Sequence, residues 1–251
     1  ALDQSENLTP LGKRIAFFTI HPKLSKALLF SSIFNCVGPM LSVVSVMSAE
    51  NEIFAGILQN KEAVRKVKAL YHPSSDHTSV VWMIEQWISF SNDRLKARDF
   101  CFKARLYPER MYTVSRVREL YSDHLVHAKM LNAYQDTKDF NSDVNTYAEI
   151  DELVRGVLLS GVDQVLHQRD FEMRKGQMKK GSCTFVTEDG TKATITPDSV
   201  NFKRKKWPSP YLTYVRSTHS EERRTALIRE TSIVSPLTVL LFAQAQVLGY
   251  L

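Results

Sequence analysis

Cysteine is scarce: Cys36, Cys101 and Cys183 are the only three in 251 residues. An odd number, widely spaced and with no Cys-Xaa-Xaa-Cys pair, excludes a disulfide framework and a zinc knuckle and reads as a chain from a reduced, intracellular compartment. Glycine and proline number nine each. That is too few for a collagen-like or low-complexity chain. No glycine sits in a Gly-x-x-x-x-Gly-Lys-Ser/Thr frame, and Gly12-Lys13-Arg14, the nearest approach, fails. The loop of backbone amides that cradles nucleotide phosphates is therefore missing, and this chain is not expected to hydrolyse ATP alone. Uninterrupted apolar runs are lacking too. Ala27–Ala49 has 23 residues without a charge, long enough to cross a bilayer. However, Gly38-Pro39 breaks it and Ser31, Ser32, Asn35, Ser42, Ser45 and Ser48 would lie in lipid, so two buried helices joined by a Gly-Pro turn are predicted. Ile233–Leu251 is also uncharged, but Pro236, Gln244 and Gln246 make it a poor span. The opening residues Ala-Leu-Asp-Gln-Ser-Glu include neither Met nor the basic stretch of a signal peptide. The chain is expected to begin inside a longer protein.

What is present is globular: 43% hydrophobic and 24% charged residues, in a length that suits one large domain or two ordinary ones. Lys and Arg number 33 against 27 Asp and Glu, a net charge of +6. Between Gln164 and Arg216 the count is 11 against 5, which accounts for the whole surplus. A local basic surface suits an anionic partner, nucleic acid first among them, or is a solvated loop.

Residues 8–131 read as mostly helical. Thr9-Pro10 and Pro22 mark two starts, with Leu11, Ile15 and Phe18, then Leu24, Leu28, Ile33 and Phe34, at helical spacing. A third helix is predicted from Pro39. A fourth, over Gln59–Leu70, should bury Ala63, Val67 and Leu70 and expose Lys61, Arg65, Lys66 and Lys68. Ser74-Ser75-Asp76 caps a helix to about Asn92 with Val80, Ile84, Trp87 and Ile88 inward, and another follows Pro108. Asn132–Asn145 is polar and aperiodic, as a linker would be. A helix near Tyr147–Ser160 follows. Then come five short segments rich in β-branched and aromatic residues: Val162–His167, Ser182–Val186, Thr191–Thr196, Tyr211–Arg216 and Ala226–Arg229. With a helix from Pro236 to about Ala243, they suggest a small β-barrel with an attached helix. The fold class is α+β.

Several short runs stand out in order. The first part holds Leu8-Thr9-Pro10-Leu11-Gly12, His21-Pro22-Lys23-Leu24-Ser25-Lys26-Ala27-Leu28-Leu29, Phe34-Asn35-Cys36 with Pro39, and Ser75-Asp76-His77. The second part holds Asp151-Glu152-Leu153-Val154 with Gly161, Pro197 with Ser199-Val200-Asn201, and Ile228-Arg229 through Val234-Ser235-Pro236-Leu237 to Leu240-Leu241-Phe242. In this order they resemble the C-terminal region of the DEAH/RHA RNA helicases, over nearly the whole chain. The resemblance implies the end of a winged-helix domain (residues 1–21), a helical ratchet domain (22–131), a linker (132–146) and an OB-fold with flanking helices (147–251). It also implies that motor domains, with their ATP and Mg²⁺, lie N-terminal in the parent protein. This chain has no Asp-Glu-Xaa-His box of its own, and no cofactor is expected in it. Two departures stand out. Val162-Asp163-Gln164-Val165 replaces a usual Leu-Tyr-Pro-Asn run, and Thr196 takes the place of a usual His, with Asp198 close by. A carboxylate there repels phosphate, so a weaker grip on RNA than in typical members is expected.

Lys203-Arg204-Lys205-Lys206-Trp207 with Tyr211 is the segment richest in chemistry. Cations neutralise phosphates while ring faces stack on bases, the usual way of holding a single strand with little sequence preference. Arg174, Lys175, Lys179 and Lys180 form a second basic cluster in a loop before the next strand. The resemblance adds Thr196, Ser199 and Asn201 as an RNA-contact loop. Opposite these stand blander readings: Trp207 and Tyr211 as barrel core, and the lysines as solvated. His124 and His127 have metal-ligand spacing but no evident third ligand, and read as packing or surface residues. His77 beside Asp76 reads as structural, and Cys101 between Phe100 and Phe102 as an inert core thiol. No catalytic residue and no metal site are expected. The reading favoured is an accessory region that holds single-stranded RNA over the motor domains. The alternative is a module whose OB-fold or ratchet docks a partner protein. Neither reading involves a membrane, and cytoplasm, nucleus and mitochondrion all stay open.

Overall fold

The computed structural model describes residues 1–3, 5–49, 51–169, 172–174, 177–179, 184–220 and 225–243. Eight helices come first: α1 (Pro10–Ile15), α2 (Pro22–Ile33), α3 (Val37–Met47), α4 (Lys61–Tyr71), α5 (Asp76–Phe90), α6 (Arg94–Lys103), α7 (Pro108–His127) and α8 (Asp151–Val162). Their starts follow the capping residues. Thr9 Oγ1 accepts the Gly12 N–H at 3.0 Å, Asn60 Oδ1 that of Ala63 at 2.9 Å and Ser75 Oγ that of Thr78 at 2.9 Å. Helix α3 is buried along its whole length. It forms the axis around which α2, α5 and α7 pack.

Several boundaries differ from expectation. Helix α3 starts at Val37, so Gly38 and Pro39 lie inside its first turn rather than between two helices. The first amides of a helix have no partner within it, so Pro39 costs nothing there. The Gly38 N–H is taken by Asn145 Oδ1 at 2.7 Å, and the chain reverses instead at Asn35, whose φ is 48°. Helix α4 buries Val64 and Lys68 and half-buries Ala63 and Val67, while Leu70, expected inward, is 83% exposed; the inward face is rotated toward Lys68, whose charge is paired inside. Helix α6, capped by Asp93, was not foreseen. Helix α8 begins at Asp151, four residues later than Tyr147. The polar connection after α7 is held down. Its 3₁₀ turn, Asp143–Asn145, buries Asn145, whose Nδ2 donates to the carbonyls of Thr137 and Asp139. Helices α2 and α8 touch where an added Cβ on Gly161 would come within 2.5 Å of Ala27 Cβ.

After α8 come β1 (Val165–Arg169), β2 (Glu172–Arg174), β3 (Gln177–Lys179), β4 (Thr184–Val186), β5 (Lys192–Ile195), β6 (Tyr211–Ser220) and β7 (Thr225–Val234), then α9 (Pro236–Phe242). Five of the strands close a barrel in the order β1-β4-β5-β7-β6, with β6 returning to β1. All neighbours are antiparallel except β5 and β7. This is the five-stranded, OB-like Greek-key barrel. Its interior is filled by Leu166, Phe185, Ile195, Leu212, Tyr214, Ile228 and smaller neighbours. Strands β2 and β3 form a separate hairpin between the first and second barrel strands, where a loop was expected. No helix among the described residues is long and apolar enough to cross a membrane.

Candidate nucleic-acid interface

The connection from β5 to β6, residues 196–210, carries most of the expected site. Its first half is built into a polar seam between helices and barrel. Asp76, in the first turn of α5, is fully buried; it accepts the Val200 N–H at 3.1 Å, the Thr231 N–H at 2.9 Å and the Ser199 hydroxyl. Asn201 donates through Nδ2 to the Ser74 carbonyl at 3.1 Å and to Thr231 at both its carbonyl and its hydroxyl. Ser75 and His77 both meet the Ser232 hydroxyl at 2.6 Å. Ser199 and Asn201 have no exposed surface. Both side chains are engaged inside the seam, so the structure does not place them on a nucleic-acid surface.

Charge is concentrated in the same seam. Lys68 Nζ lies 3.4 Å from Asp76 and 4.0 Å from Asp198, and over the Phe54 ring at 5.0 Å. Burial by itself would favour the neutral amine. The carboxylates of Asp76, Glu230, Asp198 and Glu52 outweigh it and hold the ammonium above its ordinary value. Burial raises the Glu230 carboxyl, against the pull of Arg229, Lys68 and Arg216. The His77 imidazole is lowered to about 4, chiefly by burial. Arg229 closes the outer edge on Glu52 at 2.6 Å. Beside it opens a cleft of about 450 Å³, lined by Lys61, Tyr107 and Arg110 from the helical side and Thr196, Asp198 and Arg229 from the barrel. Thr196 Oγ1 is buried there and has no hydrogen-bond partner among the described residues. Sequence patterning placed Asp76 at a helix cap with a structural role but expected Lys68 to be exposed and did not single out Glu52 or Glu230, because these groups meet only after folding.

The second half of the connection faces solvent. Lys203, Lys205 and Lys206 are exposed and form no ion pair among the described residues. Lys203 lies over the Phe202 ring at 5.3 Å, with Arg65 at the same distance. Arg204 differs from the lysines. Its Nη1 donates to the Pro73 carbonyl at 2.7 Å and its Nε to that of Lys206 at 2.8 Å, so it ties the connection to the helices. Trp207 is half-buried, edge-on to Phe185 at 4.7 Å. Tyr211 is half-buried too and stacks on His167 at 5.5 Å. A cleft of about 350 Å³ separates the cationic connection from β4 and β5, lined by Phe185, Lys192, Thr194, Lys203, Arg204 and Trp207.

Arg174 and Lys179 end β2 and β3 on the outlying hairpin, though their side chains, and all of Lys175 and Lys180, lie outside the described residues. His124 packs on the rings of Phe18 and Tyr121. No cluster of metal-ligating side chains occurs among the described residues. Burial pushes the Cys36 thiol up to about 12 and that of Cys101 to about 11; Cys183 lies outside the described residues.

Residues 21–127 match the model of the helicase associated domain (HA2), ratchet-like. The whole chain is similar to human ATP-dependent RNA helicase DHX30, at 31% identity over 98% of this chain and 21% of the relative. The DHX30 of Gallus gallus matches at the same identity, again over 98% of this chain. Human ATP-dependent DNA/RNA helicase DHX36 is 25% identical over 96% of this chain and 23% of the relative. The chain thus spans about a fifth of the length of these curated relatives.

Proposed function

We propose, for a chain that belongs to the C-terminal helicase-associated region of the DEAH/RHA RNA helicases, that it holds single-stranded RNA for an ATP-driven motor. The observation that carries this reading is the row of exposed, unpaired ammonium groups at Lys203, Lys205 and Lys206, beside the cleft on β4 and β5. The second and third strands of an OB barrel form its oligonucleotide face, and here the cations border that face. Phosphates would lie along the lysines. Bases would enter the cleft against the exposed part of Trp207. The hairpin carrying Arg174 and Lys179 stands between the first and second barrel strands, the other place where OB barrels grip oligonucleotides. Lys61, Arg110 and Arg229 in the cleft at the seam extend the cationic path onto the helices. The chain's own residues bind and orient the strand, and nucleotide chemistry belongs to the motor domains of the parent protein.

A second reading, docking of a partner protein with little RNA contact, is favoured by one feature. Glu52 and Asp198 place carboxylates in the seam cleft. Titrating the chain with a labelled single-stranded RNA at several salt concentrations separates the two. Phosphate contacts release counterions, so four contacts give a log–log slope of roughly −3. A flat salt dependence, or no binding at low salt, removes the RNA reading for the isolated chain.

A further inference from the structure

Helices α6 and α7 leave a groove between them that shares no lining residue with the clefts assigned to RNA. It comprises two adjoining clefts of about 550 and 540 Å³ that share Arg94, Glu109 and Tyr112. Helix geometry builds it. Arg94 and Arg98, four apart, project from one face of α6, and Glu109, Tyr112, Thr113 and Arg116 follow an i, i+3, i+4, i+7 stripe on α7. The floor is apolar. Trp87 lies beneath, with Tyr112 edge-on to it at 5.1 Å, and Ala97 and Pro108 complete the wall. On the rim, Leu95 is 81% exposed and adds an aliphatic edge to the groove.

Residues 94–116 contain seven Lys and Arg against two acidic side chains. Lys96 and Lys103 are neutralised by Asp93 and Asp99 in local pairs. Arg94, Arg98 and Arg116 have no ion pair or hydrogen-bond partner among the described residues, and all three are exposed. Glu109 is the one carboxylate within the groove, in the first turn of α7 where it complements the helix dipole. Three unpaired guanidinium forks around an apolar floor match carboxylates that flank an apolar side chain, because the planar fork binds a carboxylate through two parallel hydrogen bonds. The exposed Leu95 and the wall at Pro108 suit an apolar peptide side chain between those carboxylates.

We propose that this groove is a docking site for an acidic peptide segment of a partner protein, anchored by an aliphatic or aromatic side chain over Trp87 and Tyr112. Arg94, Arg98 and Arg116 bind the flanking carboxylates, and Leu95 closes over the anchor. The site is separate from the lysine face of the barrel.

The test is an anisotropy titration of the 251-residue chain with a short labelled peptide alternating glutamate and leucine. A matched peptide with serine in place of leucine serves as control. The leucine peptide should bind and the serine peptide should bind much more weakly. Replacing the three arginines with glutamate (R94E/R98E/R116E) should weaken binding by about tenfold or more, equivalent to about 1.4 kcal/mol. L95S should weaken it without changing net charge, while K205E/K206E should leave it intact. All of these residues are exposed, and circular dichroism would verify that each variant folds. Equal binding of both peptides, or an equal loss in K205E/K206E, would reduce the effect to general charge attraction and overturn the proposal. Loss of single-stranded RNA affinity in the arginine variant, with peptide binding unchanged, would assign the groove to phosphate instead.

Discussion

Oδ2 of Asp76 accepts the backbone N–H of Thr231 at 2.9 Å across 155 positions of sequence, fastening the first turn of α5 to the last barrel strand. The same carboxylate faces the Lys68 ammonium at 3.4 Å, and neither side chain has appreciable exposed surface. Asp76→Ala would therefore leave several buried donors and one buried cation without their acceptor. The expected cost is about 3–5 kcal/mol, and Asp76→Asn should fall between that and wild type because it preserves shape but not charge. Urea denaturation followed by circular dichroism measures this. A loss below about 1 kcal/mol for the alanine variant would contradict the role given to the seam.

His77 makes stability depend on pH. Its imidazole sits at about 4 in the folded chain, against 6.5 for the ordinary group, so the folded state binds fewer protons between those values. Stability contributed by the neutral ring is thus present above pH 6.5 and lost as pH falls toward 4, by roughly 3 kcal/mol in all. Asp76 pulls the other way, whereas Lys68, Arg216 and Arg155 reinforce the lowering by burial. Comparing unfolding midpoints at pH 7.5 and pH 5 should show a steeper drop for wild type than for His77→Gln. Parallel drops would mean that other groups carry the effect.

Gly161 is set by packing and not by backbone conformation. A methyl group there would meet the Cβ, N and Cα of Ala27 at 2.5–2.8 Å, two of them backbone atoms that cannot swing aside. Although alanine favours a helix over glycine by up to about 1 kcal/mol, Gly161→Ala should be destabilising by about 1–3 kcal/mol net. A raised melting temperature would show that α2 and α8 do not approach this closely in solution.

Adjacent cations on the β5–β6 connection should behave differently. Arg204→Ala removes the bonds to the carbonyls of Pro73 and Lys206 and should lower stability by about 1–2 kcal/mol. Lys205→Ala should change stability by less than about 0.5 kcal/mol while weakening RNA affinity. Measuring both quantities on both variants separates anchoring from binding. Equal stability losses would deny Arg204 its anchoring role.

The features that could be read directly were those whose cause is local. Thr9 and Ser75 cap helices within three residues of themselves, and the β-branched runs at 191–196 and 226–229 lie in barrel strands. Helix α6 escaped because only Ala97, Phe100 and Cys101 of its ten residues are buried, while Leu95 and Phe102 point outward and blur the stripe. Lys68 escaped for a different reason. Its partners Asp76, Asp198 and Glu230 come from three other segments, so nothing near it in the chain marks it as buried. The same holds for Ser199 and Asn201, whose partners Asp76, Ser74 and Thr231 lie at least 30 residues away. The segment 203–207 was legible as cationic, but the separate task of Arg204 depended on the carbonyl of Pro73, 131 positions earlier.

The hydrogen bond between Ser75 and Ser232 spans 157 positions. On a ribosome adding 5–20 residues per second, the second serine is made roughly 8–30 s after the first. Once the start of α5 has left the ribosome, Lys68, Asp76 and His77 stay open to water for the rest of that interval. Hydration must satisfy these groups until β7 arrives, so the helical half acquires its dry interior against the barrel only after β7 has left the ribosome. A nascent chain stopped short of β7 would display this charged face as an exposed surface.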